Sequence, residues 1–211
     1  MTFKKWMPTL KWTTTRWNKR DRVVTRSSAS VSVSPPRPRL VLGIDPGTAV
    51  TGYGVVSLDG RTATLVECGV IRTNAKDTLP ARLQDIHDGV AELITRHQPD
   101  VVAVEDVFYA RNVRTTVVLG HARGVILLAA QRACLEIREY PPAEIKKAVT
   151  GTGAATKAQV QYMITSLLRL KHAPQPADAA DGVAAALCAC LATSLPRITL
   201  AGVRPVAGAR R

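Results

Sequence analysis

Residues 40–73 read LVLGIDPGTAVTGYGVVSLDGRTATLVECGVIRT, and residues 101–105 read VVAVE. Together these two stretches decide the fold class. LVLGID is a short apolar strand stopped by Pro46-Gly47, and GVVSLDG and TLVECGVIRT are two further strands around a turn at Asp59-Gly60. Three strands joined this closely form an antiparallel meander. VVAVE is a continuous apolar run of the kind buried on both faces of a sheet.

Working outward, Leu79, Leu83, Ile86, Val90, Leu93 and Ile94 recur at helical spacing, and Gln98-Pro99 ends that helix. Downstream, a helix is expected from about Val113 to Ala133. LEIREY then makes a strand, Pro141-Pro142 opens a short helix through Val149, and helices follow at about 156–170 and 176–194. This order predicts an α/β domain over residues 40–195, with the meander joined to strands that alternate with helices.

The flanks differ in composition. Residues 1–39 carry ten Lys or Arg against Asp21 alone, which is nine of the thirteen net positive charges and leaves +4 for residues 40–211. Trp6, Trp12 and Trp17 stand among those basic residues, before a Ser-rich run and Pro35-Pro36-Arg37-Pro38. The segment reads as a basic disordered extension; a DNA-gripping arm and a targeting peptide are the alternatives. Residues 196–211 read as a basic tail. Bulk charge therefore says little about the partner of the folded part.

Mean hydropathy is +0.03. No uncharged apolar run reaches the roughly 18 residues of a membrane span, so no membrane partner is expected. Cys68, Cys134, Cys188 and Cys190 lack the spacing of a zinc site or a disulfide framework, and reduced thiols in a cytoplasmic protein are expected. The last two, two apart on a helix, should point to different faces.

Chemistry concentrates in carboxylates. Asp45 closes the first strand, a position where open α/β sheets build their sites, although an Asp before a turn often only caps it. Glu105 closes VVAVE; a carboxylate committed to burial there needs a cation to compensate it. Asp106 points to the other side of the strand and reads as a solvated neighbour. In PADAADGVAAAL, Asp178 and Asp181 are three apart near a helix start and share a face. A helix cap would use one of them and leave the other unexplained.

If the four converge, their repulsion must be relieved by protonation or by a divalent cation; two charges about 4 Å apart repel by about 4 kcal/mol at an effective dielectric near 20. An all-oxygen donor set selects Mg2+ or Mn2+ over zinc. Two such ions roughly 3.5–4 Å apart are the arrangement that hydrolyses phosphodiesters.

GIDPGTAVTGYGVV, VEDVF, HARGV, EIKKAVTGTGAATKAQVQ and PADAADGVAAAL resemble, in order and spacing over about residues 40–195, the RuvC family of crossover-junction endodeoxyribonucleases. The resemblance implies an RNase H-like fold with helices on both faces of a mixed sheet. It also implies a homodimer, Mg2+ dependence with two ions per subunit, and symmetric nicking of four-way junction DNA that leaves 5′-phosphate and 3′-hydroxyl ends. The RuvA–RuvB branch-migration complex would be the partner. The family's catalytic and metal-binding acids fall on Asp45, Glu105, Asp178 and Asp181, its junction-core aromatic on Phe108, and its DNA-contacting lysines on Lys146 and Lys157. Two other readings compete: an actin-like ATPase fragment using GIDPGT as a phosphate loop, and an inactive junction-binding scaffold. The first needs a second lobe and a second phosphate loop that the sequence does not show, and the second has no use for four acids near DNA.

Overall fold

A computed structural model describes residues 37–106 and 113–194. Five strands, β1 (Arg39–Asp45), β2 (Val50–Asp59), β3 (Thr62–Arg72), β4 (Val101–Glu105) and β5 (Glu136–Tyr140), form one sheet in the order β3-β2-β1-β4-β5. The meander β1-β2-β3 is antiparallel, whereas β4 runs parallel to β1 and β5 parallel to β4. The carboxyl ends of β1, β4 and β5 therefore lie at one end of the sheet.

Five helices cover both faces: α1 (Leu79–His97), α2 (Val113–Arg132), α3 (Pro142–Thr150), α4 (Lys157–Leu167) and α5 (Ala177–Ser194). Alternation along each strand divides the core in two. Leu42, Ile44, Val102 and Val104 pack with Ile86, Val90 and Leu93 of α1 and Ala122 and Ile126 of α2. Val41, Val101 and Ala103 pack on the opposite face with α5 and with Ile145 and Ile164 of α3 and α4. Burial of a side chain such as Leu42 or Ile44 contributes about 1.5–3 kcal/mol, so a register slip of one residue, which would expose this set, is strongly disfavoured.

Helix ends follow local chemistry. Gln98 closes α1 in the left-handed conformation, donating its N–H to Ile94 O. Thr156 and Gln159 form a reciprocal capping box that starts α4 at Lys157.

One expectation needs correction. The second strand begins at Val50 rather than Gly54, extending through Thr51, Gly52 and Tyr53. Cys188 and Cys190 are both buried, within a stretch of α5 whose residues 182–190 are buried all round, as core thiols on different faces of a central helix can be. By length and composition α2, although it carries Arg114, Arg123 and Arg132, would pass for a membrane-crossing helix, with a mean hydropathy of 1.3. Its Ala122, Ile126, Ala129 and Ala130, however, are buried in the protein core.

Candidate active site

Asp45 ends β1 with the same facing as Val41 and Gly43, toward α5. Glu105 ends β4 with the facing of Val101 and Ala103, also toward α5. Asp178 lies in the first turn of α5 and Asp181 one turn further. Carboxylate oxygens of Asp45, Asp178 and Asp181 all lie within 4.8 Å of one another. Asp45, Glu105 and Asp181 line a cleft of about 220 Å³ that Lys146 and Lys157 also border.

The close approach of α5 to the strands is built from glycine. A Cβ on Gly43 would fall 2.2 Å from Gly182 O, one on Gly52 would fall 1.9 Å from Asp178 O, and one on Gly182 would fall 2.5 Å from Tyr53 Cα. No larger residue fits this seam without moving the helix that carries two of the acids. The turn after Asp45 is also fastened: the buried Thr51 hydroxyl donates to Gly47 O at 2.7 Å, and Arg82 Nη2 donates to Thr48 O at 2.6 Å.

Electrostatics match the geometry. Burial, then repulsion from Glu105 and Asp181, pushes the Asp45 carboxyl up to about 8. Burial, then repulsion from Asp181, pushes Glu105 up to about 7. Against this, Lys157, Lys146 and a side-chain hydrogen bond with Asp45 favour the Glu105 anion. These lysines are the cations that a carboxylate at the end of VVAVE requires. Lys157 Nζ sits 2.9 Å from Asp181 Oδ2, and that contact raises the lysine pKa.

All four sequence-selected acids and both lysines are thus at one end of the sheet. Phe108 lies outside the described residues. Asp106 is not simply solvated: its Oδ1 is 3.2 Å from Arg123 Nη2, in a contact that sequence reasoning missed although HARGV contains the arginine. The fastening residues Thr51 and Arg82 and the seam glycines were missed as well. An isolated Thr or Arg carries no pattern; glycine within a strand, by contrast, does signal close backbone approach.

An all-carboxylate set, with the carboxyls of Asp45 and Glu105 raised first by burial and then by mutual repulsion, suits a hard divalent cation that could replace their protons. The family profile described as Crossover junction endodeoxyribonuclease RuvC matches residues 41–189. The crossover junction endodeoxyribonuclease RuvC of Aliivibrio salmonicida is 49% identical over 172 residues, covering 82% of this chain and 96% of the relative. Thermus thermophilus RuvC superposes with a TM-score of 0.68 at 36% identity, over 73% of this chain and 95% of that one. T. thermophilus RuvC in complex with Holliday junction substrate gives 0.67 at 34% identity, over 73% and 94%.

Proposed function

This chain belongs to the RuvC family of crossover junction endodeoxyribonucleases, and from that premise we propose how its residues cut DNA. It is an RNase H-like nuclease that resolves Holliday junctions. The observation that carries the mechanism is the gathering of Asp45, Asp178 and Asp181 within 4.8 Å of one another, beside a cleft that Asp45, Glu105 and Asp181 line and Lys146 and Lys157 border.

The four acids are the catalytic and metal-binding groups. They hold Mg2+, two ions per subunit, with Mn2+ able to substitute. When bound, such ions activate water and stabilise charge on the leaving oxygen, giving 5′-phosphate and 3′-hydroxyl ends. Asp45 and Glu105, fixed on rigid strand ends, set one side of the site. Asp178 and Asp181, carried by α5, set the other. Lys146 and Lys157 hold the DNA backbone by its phosphates, and Lys157, largely exposed and paired to Asp181 across a solvent-screened contact, is easily released to do so. Phe108 acts as an aromatic wedge at the junction core.

Symmetric resolution needs two sites, so the active form is a homodimer. An apolar strip along α2 supports this: Val113, Val117 and Leu128 are exposed, and Gly120 and Gly124 between them leave the surface flat. The protein works in the cytoplasm with the RuvA–RuvB complex, as the family resemblance implies. A synthetic four-way junction with Mg2+ is expected to yield paired symmetric nicks, and robust cutting in excess EDTA would overturn the metal reading.

A further inference from the structure

A second charged cluster lies on the far side of the sheet from the first. Along β4, Val102 and Val104 face the α1/α2 layer while Val101 and Ala103 face α5. Glu105 therefore turns to α5, and Asp106, one residue on, turns toward α2. Along β5, Tyr140 joins the α5-side core and Ile137 packs on the α2 side, which places Glu139 on the α2 side as well.

Arg123 of α2 meets both acids there. Its Nη2 is 3.2 Å from Asp106 Oδ1 and also donates to Glu139. Its Nε is buried and has no hydrogen-bond partner among the described residues. A buried donor left unpaired is unfavourable, so the arginine's local hydrogen bonding alone does not explain its placement. The backbone adds one tie at the same point, from Asp106 N–H to Tyr140 O at 2.8 Å.

We infer that Arg123 is a positioning residue that clamps the carboxyl end of β4 to β5 and thereby fixes the Glu105 carboxylate for metal binding. Without the guanidinium, Asp106 and Glu139 would repel each other and part the strand ends from behind. Glu105 is one residue from Asp106, so displacement there reaches the site directly. A lysine would supply the charge as a single point and hold the two carboxylates less firmly. The inference rests on the proposed metal role of Glu105.

Mn2+ binding to the DNA-free full chain, followed by paramagnetic resonance, tests it on wild type, Arg123→Gln, Arg123→Lys, Asp106→Ala and Arg39→Gln, with thermal unfolding of each. Arg39 pairs with Glu136 at the other end of the sheet and serves as the control for loss of an ion pair. Arg123→Gln and Asp106→Ala are expected to weaken Mn2+ binding by about tenfold, as loss of an outer-shell partner typically does. Arg123→Lys should fall between, and Arg39→Gln should bind as wild type. Wild-type affinity in folded Arg123→Lys and Asp106→Ala would overturn the clamp even if Arg123→Gln failed to fold. Equal weakening in Arg39→Gln would overturn it too, by showing a general effect of stability. If wild type itself bound no Mn2+, the metal reading would fall and the clamp with it.

Discussion

Asp45 and Glu105 are held in a state that the unfolded chain does not share. In the metal-free fold both carboxyls keep protons well above the ordinary carboxylate range, Asp45 up to about 8 and Glu105 up to about 7. Between roughly pH 4 and 8 the folded protein thus binds more protons than the unfolded chain at these two groups, and their linkage lowers stability as pH rises. With EDTA present, the melting temperature is expected to fall from pH 5.5 to 8. Divalent cations need the deprotonated acids, so Mg2+ should restore the melting temperature at pH 8 and do little at pH 5.5. A flat profile in Asp45→Asn would assign the slope to this cluster; an unchanged slope would remove Asp45 from it. Asp45→Asn, Glu105→Gln and Asp178→Asn should each lower cleavage by at least about a hundredfold, because outer-shell changes alone cost about 10–100-fold. Junction binding, read by gel shift in Ca2+, should persist or tighten, since each change removes negative charge facing DNA. A variant cutting at the wild-type rate would strike that residue from the site.

At the scale of elements, α5 and the strands beneath it behave as one device. Gly52→Ala would place a Cβ 1.9 Å from Asp178 O, so the first turn of α5 must shift. Overpacking of this kind costs about 1–3 kcal/mol, and here the displaced backbone carries a site acid. The variant should therefore lose Mn2+ affinity as well as melting temperature; wild-type Mn2+ affinity in a destabilised Gly52→Ala would show that the seam supports the core alone. The same glycines explain what was hidden in the sequence. LVLGID, VVAVE and the 79–97 helix were legible because burial imposes a run or a 3.6 period on them. The sequence places the start of the second strand at Gly54 because Gly52 dilutes the strand signal before it, yet Gly52 is in the strand to admit the helix. Asp45 and Glu105 were legible because each ends an apolar strand, and Asp178 and Asp181 because they share a face at the start of a patterned helix. The Arg123 clamp was only half visible: parity sends Asp106 to the α2 side, but nothing in a linear sequence says which cation waits there. Where α2 would pass for a membrane span by composition, only its buried alanines and Ile126 show which face belongs to the core.

For the whole molecule, the charge lies outside the part that holds the chemistry. Arg37 pairs with Asp100, whose other oxygen accepts the Leu40 N–H, so a cut after residue 38 removes one largely exposed ion pair and leaves β1 anchored. Such a pair contributes about 0–1 kcal/mol, and deletion of residues 1–38 should leave folding and cleavage largely intact. A steep, salt-dependent loss of junction affinity on deletion would instead make the segment a DNA-binding arm. Dimerisation is the remaining question at this scale, and it bears on symmetry of cutting. One face of α2 is committed to the core through Ala122, Ile126, Ala129 and Ala130. The other shows Val113, Val117 and Leu128, each at least half exposed, across two glycines with open space above them. Glycines let two helices approach closely, and a self-complementary apolar strip is what a twofold interface requires. Leu128→Glu would place a like charge from each copy into that interface while leaving the buried face untouched. The variant should sediment as a monomer with a melting temperature near that of wild type at high dilution, and its junction nicks should appear singly rather than in symmetric pairs. A dimeric Leu128→Glu with paired nicking would move the interface elsewhere on the molecule, and monomeric wild type with paired nicking would remove the homodimer from the mechanism altogether.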